Sequence, residues 1–304
     1  MSRPAGTGRV GLASQPYAEQ RDRVLTAWDD FVDLAEETDL DRPSRLPGWT
    51  GHDVCAHLGD WPGVVTLDRL IAEATGRAEP RADADAANAR VVEEHRDTPR
   101  ADLLAALVRS RDRLEEWFGD PGAADGPDEV GLRVVGSAVG SLPLLTVVAA
   151  SAYELAVHSL DLGPCGAPPP GPGLLDAGLA ALVDVTGVFA SRRGMDASLT
   201  AWTGTHGWQV VADRDGWATH RVEDLPPGAA VEAEPATLLD ASAGRRPVPP
   251  LLATRSMRLH GVPDLLRLAP IVEEVPGLPG GPALAVAGRW VGGAGRLLRL
   301  GRRG

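Results

Sequence analysis

The chain has 304 residues, 43% of them hydrophobic and 24% charged, a balance that excludes a disordered polymer and leaves room for two modest domains. Its net charge of -12 excludes nucleic acid as a partner, since a phosphate backbone requires a basic face. All 30 basic residues are arginine, which with abundant Ala, Gly and Pro points to a GC-rich genome. Two cysteines, Cys55 and Cys165, are too few for a disulfide framework, and the first twenty residues lack the apolar run of a signal sequence, so a cytoplasmic protein is expected.

Residues 17–37 carry Val24, Trp28, Phe31, Val32 and Ala35 at helical spacing and predict an amphipathic helix. A sharper start follows at Thr50: Asp53, three residues on, completes a capping-box pattern, and Trp49 is placed to staple onto Val54. The helix begun there is expected to run from Gly51 toward Ala74, bent or interrupted at Pro62. A third helical region covers about residues 84–118, with a new start at Thr98 and Pro99. Residues 134–153 carry no charge over about the length a bilayer needs, but Gly, Ser, Thr and Pro143 dilute them. A buried helix over about residues 142–162 is expected there instead, with no integral membrane span. Four main helices joined by loops fit an up-and-down four-helix bundle.

GPCGAPPPGPG, residues 163–173, continues neither helix nor strand and marks the seam. One more apolar helix follows from Leu174, and then the pattern changes to short alternating runs: SLTAWTG, GWQVVAD, GWATHRV, AAVEAE and SMRLHG. These predict strands with tight turns such as Asp213 to Gly216, and helical pieces at 235–244 and 262–270 complete an α+β unit. The expected fold class is α then α+β: a helical bundle at 15–165, an α+β domain at 174–273 and a Gly/Arg-rich tail at 274–304. The tail concentrates Arg289, Arg296, Arg299, Arg302 and Arg303, but its glycines weaken any amphipathic helix, so a solvated segment is expected.

Within YELAVHSLDL, residues 153–162, Glu154 and His158 are four apart and share a helix face. Taken alone they read first as a surface hydrogen-bonded pair. A third donor must come from HDVCAHLGDW, where His57 lies about 140° around the helix from His52 and about 160° from Cys55, so these three cannot form one cluster. His57, flanked by Val54, Leu58 and Trp61, is the one expected to point inward. By itself it reads as a core histidine; joined to Glu154 and His158 inside a bundle it makes a two-histidine, one-carboxylate set with open coordination positions. Asp161, three residues past His158, can accept an imidazole N–H or stand exposed at the helix end. Cys55 reads as buried and inert, and His206 and His220 as surface residues near turns.

LPGWTGHDVCAHL, followed about a hundred residues later by YELAVHSLDL, resembles the actinobacterial mycothiol-dependent maleylpyruvate isomerase family. The resemblance extends from about Tyr17 to Ile271 and includes LLDASAGRRP and MRLHGVPDLL in the second half. It implies a DinB-like metal-binding bundle with an α+β domain of sterol-carrier type. It also implies a divalent metal, zinc first among candidates, on His57, Glu154 and His158, and mycothiol as thiol cosubstrate. A free thiol has a pKa of about 8.5, and coordination to a dication deprotonates it. In the family's reaction the thiolate adds to the activated double bond of maleylpyruvate, the resulting single bond rotates, and elimination of the thiolate leaves the trans isomer. The same thiolate can instead carry out S-transfer to a small electrophilic substrate. Arg245 and Arg246 are the candidates to bind a substrate carboxylate, with a solvent-facing pair as the plainer reading. A monomer is expected. The rival is a non-catalytic metal-containing binding protein whose second domain holds an apolar ligand.

Overall fold

The computed structural model describes residues 9–61, 66–79, 84–137 and 139–272, so Pro62 and the tail at 274–304 lie outside the described residues. In chain order the elements are β1 (Arg9–Val10), α1 (Tyr17–Glu37), α2 (Gly51–Leu58), α3 (Leu67–Ala74), α4 (Ala84–Glu94), α5 (Arg100–Gly119), α6 (Pro127–Val130), β2 (Val134–Val135), β3 (Leu142–Pro143) and α7 (Leu144–Asp161). They are followed by α8 (Pro172–Arg192), β4 (Ala197–Trp202), β5 (Gly207–Asp213), β6 (Gly216–Val222), β7 (Ala230–Ala233), α9 (Pro235–Ser242), α10 (Val248–Ala253), β8 (Met257–His260), α11 (Val262–Arg267) and α12 (Ala269–Val272). The first half is helical and the second carries a mixed six-stranded sheet of order β1-β6-β5-β4-β7-β8. β1 runs parallel to β6 and β4 parallel to β7; the other pairs are antiparallel.

Three departures from the sequence expectations have local causes. The helix begun at Thr50 stops at Gly59, whose extended backbone (ψ 156°) ends it well before Ala74. A fresh helix starts at Leu67, where the Thr66 side chain accepts the Arg69 N–H. The residue before a proline is steered out of the helical region, so Trp61 could not have continued α2 in any case. Next, α7 starts at Leu144, because Leu142 and Pro143 pair with Val134 and Val135 in a small hairpin. Finally, Arg9 and Val10 form an unanticipated strand against Gly216 and Trp217.

The apolar core is continuous, running from α1 and α7 through α8 into the sheet. The sequence suggested one core for each half. The reason lies in α8, which is buried all round: Leu174, Ala177, Leu179, Ala180, Val183, Val188 and Phe189 are all within it. Among the described residues α8 is the one helix long and apolar enough to cross a membrane, and here that apolar length is taken up by packing on two sides. Two glycines make this possible. A Cβ at Gly178 would stand 2.5 Å from the Ala156 Cβ of α7, and one at Gly187 would stand 2.5 Å from Val210 Cγ2 and 2.6 Å from the Trp217 ring. Nine residues at 100° each place these glycines on opposite faces. Asp184, between them in sequence and buried, accepts the Leu12 N–H at 2.9 Å, the Trp217 indole N–H at 2.8 Å and the Thr219 hydroxyl at 2.6 Å. It thereby ties the N-terminal segment and β6 to α8.

Candidate metal centre

Two helices bring three donors together. α2 begins with a complete capping box: Asp53 N–H donates to Thr50 Oγ1 at 3.3 Å and Thr50 N–H to Asp53 Oδ2 at 2.8 Å. Val54, Cys55 and Ala56 face the core, which leaves His57 on the last turn beside α7. In α7, Ala152, Leu155, Ala156 and Val157 are buried, and this register turns Glu154 and His158 toward His57. One donor atom from each of His57, Glu154 and His158 lies within 4.8 Å of the others. His158 Nε2 stands 3.6 Å from Glu154 Oε2. The two imidazole rings meet edge to face, 5.1 Å apart at 74°, and the Trp49 ring stands 5.7 Å from His57 on its other side.

Burial is uneven, and the unevenness defines the opening. His158 is buried, whereas the Glu154 side chain is 54% exposed, so the cluster is reached from the Glu154 side. Burial, helped by the neighbouring His158, pushes the His57 imidazolium down to about 4. Burial also opposes charge on His158, but the hydrogen bond to Asp161 and the nearby Glu154 carboxylate outweigh it and hold its pKa at about 9. The Glu154 carboxyl is kept below its ordinary value, since the neighbouring His158 and the surrounding cations overcome its own desolvation. The result is a neutral base and an anion beside a cation that can give up its proton.

This donor set fits a divalent ion. Nitrogen and oxygen ligands at about 2.0–2.2 Å in a tetrahedron lie roughly 3.4 Å apart, close to the His158–Glu154 separation, and three protein donors leave a position open. His57 Nδ1 is buried and has no hydrogen-bond partner, a costly state for a polar atom unless something else takes its lone pair. His158 Nδ1 meets Asp161 Oδ2 at 3.1 Å, which fixes that ring and leaves Nε2 facing the cluster.

The other candidates fall in distinct places. Arg245 is half-buried against Asp161, with Nε 3.0 Å from Oδ1 and Nη2 3.1 Å from Oδ2. Arg246 is exposed and donates from Nη1 to Thr237 Oγ1 at 3.1 Å. His52 turns away, its Nε2 2.8 Å from the Thr98 carbonyl. Cys55 is buried, and burial pushes its thiol up to about 12. His206 and His220 belong to the sheet half, with His206 Nε2 on Asp176 at 3.1 Å and His220 Nε2 on Gln209 at 3.1 Å.

Sequence reasoning missed Arg45 and Asp240. Arg45 Nε lies 3.0 Å from Asp161 Oδ1, and its terminal nitrogens pair with Asp240 at 2.9 and 2.7 Å. Arg45 stands immediately before the LPGWT segment that leads to His57, yet its partners are 116 and 195 residues away, and no local pattern announces them.

Fold and cluster together define a class: a helical region carrying a two-histidine, one-carboxylate donor set, followed by a mixed-sheet region. Residues 21–163 match the family profile described as the mycothiol maleylpyruvate isomerase N-terminal domain. The match covers the helical region, and in that region the chain is similar to the mycothiol maleylpyruvate isomerase family. Two solved structures are similar over both regions, the mycothiol-dependent maleylpyruvate isomerase and a histidine-to-alanine variant of it. Each is 17% identical, with a TM-score of 0.52, covering 78% of this chain and 93% of the other. At that identity the similarity speaks to the fold. No curated protein matches the chain.

Proposed function

We propose that this protein is a mycothiol-dependent isomerase that holds one divalent ion, zinc first, on His57, Glu154 and His158. The observation that carries the reading is the convergence of these three donors within 4.8 Å, in a domain whose family is defined by a mycothiol-dependent enzyme. When bound, the ion supplies the charge that turns a thiol of pKa about 8.5 into a thiolate at neutral pH. The chain's own residues do the rest. Asp161 holds His158 through Nδ1, so that Nε2 is presented to the cluster. Trp49 and the α2 core residues shield the His57 side, and the exposed face at Glu154 admits thiol and substrate.

Arg245 and Arg246 are the proposed receivers of a substrate carboxylate. Arg245 has the second Nη1 hydrogen to offer beside its Asp161 clamp and its Nη1 bond to the Ala243 carbonyl, and Arg246 has the donors left by its single bond to Thr237. S-transfer to a small electrophile uses the same activated thiol and is separated from isomerisation by substrate. With this reading go the proposed division at the 163–173 seam into a four-helix bundle and a sterol-carrier-type α+β unit, an actinobacterial origin, a cytoplasmic location and a monomeric state.

Elemental analysis tests the centre: purified protein should carry about one equivalent of metal, and His158→Ala should lose most of it. Full occupancy in that variant overturns the ligand assignment. Calorimetric titration of the loaded protein with mycothiol and with glutathione tests the thiol, and equal affinity for the two removes the mycothiol reading. Once a substrate is in hand, kcat/KM for Arg245→Ala and Arg246→Ala decides which arginine receives it, with a loss of about 2–5 kcal/mol expected where a buried charge-assisted pair is broken.

A further inference from the structure

We infer that Arg45 and Asp240 are positioning residues for the centre, forming a brace by which the sheet half and the loop before α2 together fix the orientation of His158. The inference rests on the metal reading proposed above and deepens it.

Asp161 is fully buried, and its carboxylate is held from four directions. Oδ1 receives Arg45 Nε and Arg245 Nε, each at 3.0 Å; Oδ2 receives Arg245 Nη2 and His158 Nδ1, each at 3.1 Å. A carboxylate with two donors on each oxygen has no rotation left, so the ring it grips cannot turn either. The brace is also closed on itself. Asp240, buried, accepts Arg45 Nη1 at 2.9 Å and faces Nη2 as an ion partner at 2.7 Å, while its backbone carbonyl accepts the N–H of Arg245 at 2.8 Å and of Arg246 at 3.2 Å. Asp240 therefore anchors one arginine by its side chain and shapes the turn that carries the other.

At the other end, the Arg45 N–H donates to the Asp161 carbonyl at 2.9 Å, pinning the loop to the end of α7. That loop is tight. Ser44 N–H and Oγ both donate to the Trp49 carbonyl, at 2.8 and 2.9 Å, and Thr50 next to it caps the helix that presents His57. Arg45 thus connects the segment leading to one ligand with the carboxylate that grips another. Donating from Nη1 to Asp240 while Nε serves Asp161 needs the planar fork of arginine, which lysine lacks.

The test uses the full chain in three variants, Asp240→Asn, Arg45→Lys and the two combined. Zinc affinity is read by chelator competition, and the His158 Nδ1–H proton by its downfield resonance and exchange rate, in loaded and metal-free protein. Each single variant is expected to weaken zinc binding about tenfold and to speed exchange of that proton, since groups behind a ligand typically contribute 10–100-fold. The double variant should be little worse than either single one, because both act along one chain of bonds. Zinc affinity within twofold of the parent, with unchanged Nδ1–H exchange, overturns the inference even if thermal stability falls, for that is the signature of a structural bridge alone. If the parent binds no zinc, the metal reading fails, and the exchange rate in metal-free protein still decides whether the brace holds His158.

Discussion

Two buried carboxylates in this molecule have opposite characters. Asp161 is 0% exposed and Asp184 is 1% exposed. Burial raises both, but around Asp161 the imidazole of His158 and the guanidinium of Arg245 outweigh it and bring the carboxyl down to about 2. Asp184 accepts three hydrogen bonds to the four of Asp161, but its donors are a backbone N–H, an indole and a hydroxyl, with Arg23 acting only at a distance. Burial wins there and the carboxyl is pushed up to about 6. The number of hydrogen bonds does not keep a buried acid ionised; the charge of the donors does. The site-facing joint of the molecule is therefore built from paired charge, and the joint under α8 from dipoles.

The contrast is most severely tested by removing its stronger partner. Asp161→Ala leaves Arg45 and Arg245 without their shared anion, and a loss of about 3–5 kcal/mol in urea unfolding is expected; a loss under about 1 kcal/mol would mean that water replaces the carboxylate at little cost.

Asp184 should respond to pH instead. Its folded value, about 6, lies above the ordinary 3.8. The stability it contributes is thus complete below about pH 3.8 and is lost as pH rises through about 6, a change of about 3 kcal/mol. Asn at this position cannot titrate. The stability of the parent relative to Asp184→Asn should therefore fall by roughly that amount from about pH 3.5 to 7.5, and a flat difference would put Asp184 back in the ordinary range. Since Asp184 Oδ2 is buried without a partner, the amide brings a constant cost that does not alter this slope.

A smaller effect comes from crowding the same joint. Gly187→Ala places a methyl 2.6 Å from the Trp217 ring, whose indole serves Asp184; about 1–3 kcal/mol of destabilisation is expected in the same unfolding measurement. Smallest is Thr50→Ala, on the Asp161 side of the molecule, which removes the α2 cap at about 1 kcal/mol. Metal affinity should fall in that variant as the His57 turn loosens, while Gly187→Ala leaves metal affinity alone. The reverse pattern would show that the two joints are not independent.

What was legible in the sequence was legible locally. The Thr50–Asp53 capping box, the Glu154–His158 spacing and the alternating strands from residue 197 onward are each fixed by residues a few places apart, and the structure has all three. His57 is preferred over His52 because Val54, Leu58 and Trp61 flank it, and in the structure His52 turns to Thr98. The brace was not legible, because Arg45 reaches Asp161 and Asp240 across 116 and 195 residues, and arginine beside aspartate is too common a pairing to predict at such range. The same holds for β1, a two-residue strand whose partner lies more than two hundred residues on. The end of α2 at Gly59 was not legible either, because its extended backbone (φ -70°, ψ 156°) is open to any residue, and what asks for glycine is the Trp61 indole nitrogen, 2.6 Å from where a Cβ would stand.

The position of α8 has a consequence for how the molecule comes apart. A helix that packs on α7 through Gly178 and on the sheet through Gly187 gives neither half a surface along which to open by itself. Heating should produce a single heat-absorption peak whose calorimetric and van't Hoff enthalpies agree, despite a chain length at which two independent melts are common. Amide hydrogens in the middle of α8 should be the last to exchange, at the rate set by opening of the whole fold.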